Sequence, residues 1–384
     1  MAGSGPHPSR RSVLAAGTGI AAAGLPGRLG DRHRAGPAHT APAAFARPAA
    51  LTPQQQAGQR VVFSYSGTTV PQSLLDQISS GQAAGVIIFG DNVSSLSQIG
   101  SAVQLMRQAN LRSPNPAPLL LMTDQEGGQV RRLPGAPVLS AKQIGASADP
   151  AAAAAAAGTG AGNLLRGAGL NINLAPVLDV YRTAGDFEDQ YQRSYSTDPA
   201  VVSLCGRSFV TAQQATGVAA TAKHFPGLGP ATAAQNTDLR AVTLKTSLAD
   251  LRAIDEAPYA AALAAGVDLV MVSWAVYSHL DAAHPAGLSP TVVQGELRGR
   301  LGFTGVTITD AIEAGALSAL GTSGQNAVTA AAAGMDVILD ASGDVSHGKA
   351  VVSALAGALQ NGTLDQAASN AALGRIGALR GRLF

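Results

Sequence analysis

The chain has 384 residues, is 46% hydrophobic and 13% charged, and carries a formal net charge of +2. That length supports one large core, and a near-neutral balance without a basic stripe argues against a nucleic-acid-binding surface. Cys205 is the single cysteine, which excludes an intramolecular disulfide; it sits in the helix-like run VVSLCGRSFV and reads as a small buried side chain.

The N-terminus opens with Ser9-Arg10-Arg11-Ser12-Val13-Leu14, followed by a short run of Ala, Gly and Leu up to Leu25. Paired arginines before such a run predict a twin-arginine export signal, with cleavage after Ala46 in the Ala44-Phe45-Ala46 context. The run is too short and too glycine-rich to span a membrane, for which about 20 apolar residues are needed. The expected organisation is a leader over residues 1–46, a linker over 47–59 and one domain over 60–384. No cysteine lies near the leader's end to take a lipid anchor, so the expected product is a secreted, monomeric protein.

From Arg60 onward eight short apolar runs recur: VVFSYS (Val61 to Ser66), GVIIFG (Gly85 to Gly90), LLLMTD (Leu119 to Asp124), INLAPVLDV (Ile172 to Val180), AATAKHF (Ala219 to Phe225), DLVMVSW (Asp268 to Trp274), GVTITD (Gly305 to Asp310) and DVILD (Asp336 to Asp340). Segments rich in Ala, Gln and Leu separate them, the Ala151 to Ala157 stretch among them. Near-continuous apolar strands alternating with helices indicate a parallel sheet covered on both faces. Eight such units predict a closed (β/α)8 TIM-type barrel of one domain. An open doubly wound sheet is the alternative, but no GxGxxG follows the first strand.

Several runs end in a polar or aromatic group: Asp124, Asp179, Lys223-His224, Trp274 and Asp310. In a barrel these ends meet at one mouth, where an active site is expected. Carboxylates beside Lys, His and Arg suit the hydroxyls of a sugar, with Trp274 or Tyr195 available to stack on a ring. Glycoside hydrolysis uses two carboxyl groups, one of which is a nucleophile in retaining enzymes. Asp310 suits that role at a strand end; it equally suits an N-cap for a following helix with Ile312, Ala316 and Leu317 on its apolar face. Asp179 reads as a tie for neighbouring loops, and His224 as either a ligand contact or a satisfied core histidine.

The segments GVIIFGDNV (Gly85 to Val93), TDQEGGQVRRLPG (Thr123 to Gly135), NINLAPVLDV (Asn171 to Val180), RSYSTDP (Arg193 to Pro199), KHFPG (Lys223 to Gly227), LSPTVVQGELRGRLGFTGVTITDA (Leu288 to Ala311) and AGMDVIL occur in this order. Together they resemble bacterial β-N-acetylglucosaminidases of glycoside hydrolase family 3. The resemblance implies Asp310 as nucleophile, forming a covalent glycosyl-enzyme, and Asp124, Arg193, Lys223 and His224 as sugar-binding residues. It implies a carbohydrate ligand and neither metal nor cofactor.

The chain departs from that pattern in KHFPGLGPATAAQNTD. Leu228 stands where the family signature has a second His, and Ala234, Gln235 and Asn236 occupy the turn that carries its Asp/His acid/base dyad. Trp274 replaces a His common after the sixth strand, and none of the seven histidines takes the dyad's place by alignment. Losing a general acid costs ~10²–10⁴ in rate. Asp238 is the candidate replacement acid, with Glu188 and Asp189 as others. Two functions follow: an exported retaining hydrolase of amino-sugar glycosides from cell wall or chitin, or a degenerate barrel that binds such saccharides without turnover. A structural or adhesive barrel is disfavoured by so many charges at one mouth.

Overall fold

All eight apolar runs become barrel strands: β1 (Val61–Phe63), β2 (Gly85–Ile88), β3 (Leu120–Thr123), β4 (Ile172–Asn173), β5 (Ala219–Phe225), β6 (Leu269–Val272), β7 (Val306–Ala311) and β8 (Val337–Leu339). This computed structural model describes residues 50–384; the expected export signal and its cleavage point lie outside them. Every strand pairs in parallel with its sequence neighbours, and β8 closes on β1, Val61 facing Ile338. The chain is a single (β/α)8 TIM-type barrel.

The strands read as continuous apolar runs because two cores share them. Val62, Ile87, Leu120, Met122, Leu269, Met271, Val306 and Ile308 point into the barrel. Their alternates Val61, Phe63, Val86, Ile88, Leu121, Val270 and Val272 pack outward under the helices. A strand's side chains alternate between faces, so both faces must be apolar when both are buried.

Helix starts are encoded locally. Asp149 caps Pro150–Ala168, accepting from the Ala152 amide at 3.0 Å, with Pro150 at the first position and left-handed Gly169 at the end. Asp198 caps Pro199–Gln214 in the same way, at 2.8 Å from the Ala200 amide. Cys205 is buried in this second helix.

The expected linker over 47–59 is corrected in its second half. Thr52 and Gln55 form a reciprocal capping box that starts a helix at Pro53–Gly58. Gln59 is buried and its amide donates to the Gly81 carbonyl at 2.8 Å. The packed body therefore begins before Arg60, because this turn packs against residues 81 and 82, which precede β2 at the N-terminal end of the barrel. At that same end the last helix, Gln366–Arg380, inserts Ile376 and Leu379 into the inner core. Among the described residues no helix is long and apolar enough to cross a membrane.

Candidate active site

Asp124, Arg193, Lys223, His224, Asp238 and Asp310 all line one cavity at the C-terminal mouth of the barrel. The cavity holds ≈ 250 Å³; a space of about 150 Å³ already accepts a benzene ring, so one sugar ring with its substituents fits.

Two strands that feed this cavity lose register at their polar ends. The β5–β6 pairing shifts between Ala222 and Phe225, around Lys223-His224. The β7–β8 pairing shifts between Ile308 and Ala311, around Asp310. Such irregularities re-aim side chains and concentrate beside active sites. Here they bring polar residues from apolar strands into the mouth.

Lys223 is 2% exposed, yet its Nζ donates to Asp124 Oδ1 at 2.7 Å and contacts Glu126 Oε1 at 2.8 Å. Arg193 grips Glu126 with two parallel bonds, Nε to Oε2 at 2.9 Å and Nη2 to Oε1 at 2.8 Å, and reaches Glu188 Oε2 at 2.5 Å with Nη1. Arg132 lies 3.6 Å from Asp124 Oδ2. Burial alone pushes the Asp124 and Glu126 carboxyls up, but Lys223 with Arg132, and Arg193 with Lys223, hold them below the usual carboxylate range. Burial works against the cations as well, yet their carboxylate partners keep Lys223 and Arg193 above their ordinary values. The result is a buried network in which Asp124, Glu126, Lys223 and Arg193 each favour the charged form of the others.

His224 is 5% exposed and places Nδ1 2.7 Å from Asp179 Oδ2. Burial pushes its pKa down, but the Asp179 carboxylate outweighs that and raises it above the ordinary histidine value. Asp179 also accepts from the Leu228 amide at 2.6 Å. It ties the loop after β5 as the sequence suggested, and it also fixes a cavity-facing histidine.

Asp310 is the penultimate residue of β7 and accepts from the Ala311 amide at 2.8 Å. No helix starts there: the next helical turn, Gly315–Leu317, has Ala314 at its N-cap position, and the next α-helix, Ser323–Ala333, is capped by Thr322, so Asp310 caps neither. Asp238 reaches the cavity through a turn in which Asn236 Oδ1 accepts from its amide at 2.8 Å. The Gly315 amide donates to the Asp238 carbonyl at 2.8 Å and the Ala316 amide to Thr237 at 3.0 Å, which pins this turn to the loop after Asp310. Burial, then the charge of Asp310, raises the Asp238 carboxyl above its ordinary value.

Of the other proposed acids, Glu188 lines the cavity, is 1% exposed, and is pushed by burial to about 7 against the pull of Arg193 and His224. Asp189 does not line it; its carboxylate is held by Lys142 and the Gly185 amide, both at 2.8 Å. The stacking expectation also fails. Trp274 is fully buried, donating Nε1–H to the Ala311 carbonyl at 2.8 Å, and Tyr195 is buried without lining the cavity. A bulky ring on an inward-packed strand end goes to the core unless a loop carries it outward. The aromatic lining comes instead from Phe89, Phe187 and Tyr191.

Glu126 and Arg132 escaped the sequence reading although both lie in the TDQEGGQVRRLPG segment. Glu126 stands two residues after Asp124, the same-face spacing of an extended chain, and that was the available signal. Arg132 gave none, since its place depends on buried Gln125. The Gln125 side chain bonds the carbonyls of Leu133 and Ala136 and the amides of Arg132 and Leu133, folding residues 125–136 back over the mouth.

Residues 48–379 match the glycosyl hydrolase family 3 N terminal domain. An uncharacterized secreted glycosyl hydrolase from Arthroderma benhamiae is 47% identical over 343 residues, covering 89% of this chain and 97% of that one. A beta-hexosaminidase from Xylella fastidiosa is 35% identical over 319 residues, covering 79% and 92%. A family 3 beta-N-acetylglucosaminidase structure from Paenibacillus superposes with a TM-score of 0.82 at 34% identity, covering 87% of this chain, which spans 63% of that longer one. A beta-N-acetylhexosaminidase structure from Beutenbergia cavernae gives 0.78 at 32%, covering 86% and 99%. The barrel, the charged mouth and these relatives agree: the chain belongs to glycosyl hydrolase family 3 and is a glycosidase.

Proposed function

We propose that this chain is an exported, retaining hydrolase of terminal β-N-acetylhexosaminides, with Asp310 as nucleophile and Asp238 as proton donor. The observation that carries the reading is the pairing of these two carboxyls in one cavity. Asp310 stands on a strand end, and Asp238, although its residue is exposed at the rim, has its carboxyl raised above the ordinary value by partial desolvation in the cavity and by Asp310 itself. Two carboxyls in one cavity, one placed to attack and one placed to protonate the leaving oxygen, are the equipment of a retaining glycosidase.

In the first step an Asp310 oxygen bonds to the anomeric carbon while the bond to the leaving oxygen breaks and that oxygen takes the Asp238 proton. In the second, Asp238 removes a proton from water, the water oxygen bonds to the anomeric carbon, and the Asp310 ester bond breaks. Asp124, Lys223, Arg193 and His224 hold the sugar's hydroxyls, preorganised by the ion pairs around them.

The amino-sugar preference is supported by the relatives named beta-hexosaminidase, and export by the paired arginines at the N-terminus and the Arthroderma relative described as secreted. Purified protein is expected to release nitrophenol from 4-nitrophenyl N-acetyl-β-glucosaminide. Asp310→Ala should remove this activity, and a slow fluorosugar should leave an adduct on Asp310 detectable by mass spectrometry. If wild type releases no more product than Asp310→Ala and carries no adduct, the hydrolase reading falls and saccharide binding without turnover replaces it.

A further inference from the structure

The cavity of ≈ 250 Å³ encloses one sugar unit, so the group on the far side of the scissile bond must sit outside it, in the mouth. Of the residues lining the cavity, only Tyr191 and Asp238 are exposed; the rest are buried or half-buried. Tyr191 is 43% exposed. The proposed proton donor and one aromatic ring therefore share the rim where a leaving group would lie.

We infer that Tyr191 forms the leaving-group subsite, a flat platform for an uncharged ring: the apolar face of a second pyranose or an aromatic aglycone. This rests on the hydrolase reading above, which supplies the leaving group.

Three features suit Tyr191 to this task. Its ring meets Phe187 edge to face, with centroids 6.2 Å apart and planes at 88°, which leaves at least one face of Tyr191 uncovered by Phe187. Phe187 is itself buried, and its amide donates to the Ala231 carbonyl at 2.9 Å, so the brace is tied to the loop that carries Asp238. The short turn Asp189–Tyr191 is anchored by the Asp189 carboxylate on Lys142 and the Gly185 amide. It ends at Gln192, whose left-handed φ of 58° turns the chain back toward Arg193. A braced ring loses little freedom when a ligand stacks on it. Leu239, which follows Asp238 directly, is 68% exposed and adds apolar surface close to the proposed acid in the chain.

The test compares substrates with and without a ring to stack. N-acetyl-β-glucosaminyl fluoride has no leaving-group ring, whereas 4-nitrophenyl N-acetyl-β-glucosaminide and N,N′-diacetylchitobiose each have one. For Tyr191→Ala the loss of kcat/KM on the two ring-bearing substrates should exceed the loss on the fluoride by roughly tenfold, the scale of one aromatic stacking contact. Tyr191→Phe should retain wild-type preference, since the ring face is kept. Thermal melts of both variants establish that they are folded. Equal losses on all three substrates, or no loss on any, would overturn the platform. No turnover of any of the three substrates by wild type is a different result: it removes the hydrolase reading, and the platform with it.

Discussion

As the proposed proton donor, Asp238 would act as a direct carboxylic acid, unlike the Asp/His dyad that the family resemblance implied. Its raised pKa makes the protonated form available at higher pH than an ordinary aspartate allows. The sign follows: donation is present while the group holds its proton and is lost as pH rises through its raised value. Asp238→Asn is expected to lower kcat/KM on a disaccharide by ~10²–10⁴. An aryl glycoside, whose leaving oxygen needs little protonation, should fall much less, and the falling alkaline limb of the wild-type profile should disappear. A variant with the same loss on both substrates and an unchanged profile would show that Asp238 is not the donor. Sequence could nominate Asp238 because it lies four residues past Ala234, but not rank it above Asp189. That ranking needed the turn made by Asn236 and the capture of Asp189 by Lys142.

At the scale of elements, the loop after β5 is the piece most exposed to small changes. A Cβ on Gly229 would sit 2.1 Å from the Val180 carbonyl oxygen, a backbone atom that has little room to move. Gly229→Ala is expected to cost about 1–3 kcal/mol of stability, as overpacking does. Because the same loop leads to Asp238, kcat/KM should fall as well. Denaturant unfolding together with kinetics checks both, and unchanged stability would mean that the loop yields. The family signature made this loop visible in the sequence. Its anchoring did not show there, since Asp179 holds the Leu228 amide from 49 residues away.

At the scale of the whole molecule, chemistry and stability lie at opposite ends of the barrel. Asp336 precedes β8 at the N-terminal end, fully buried, with Arg298 on Oδ2 and Arg375 on Oδ1, each at 2.7 Å. Arg60 joins the cluster through the Asp336 and Met335 carbonyls at 3.0 and 2.6 Å, and burial pushes its pKa down to about 10. Asp336→Ala would leave these guanidiniums without their counter-charge, at a cost of about 3–5 kcal/mol. Denaturant unfolding should show that loss while the folded protein keeps its substrate preference; a loss under 1 kcal/mol would mean that the arginines find other partners.

The eight strands, their order and the face on which their polar ends gather are properties of the sequence by itself. Burial on both faces demands unbroken apolar runs, and parallel strands joined by helices bring their C-terminal ends together. The candidate nucleophile Asp310 and most of the residues proposed to bind sugar sat at those ends and were legible there as lining one mouth. Tertiary structure alone decided which rings face the mouth, burying Trp274 and exposing Tyr191. It alone paired Arg193 with Glu126 and Glu188, and set Asp238 beside Asp310. These outcomes depend on register shifts and on hydrogen bonds between residues far apart in the chain, and a local pattern of residues carries no record of either.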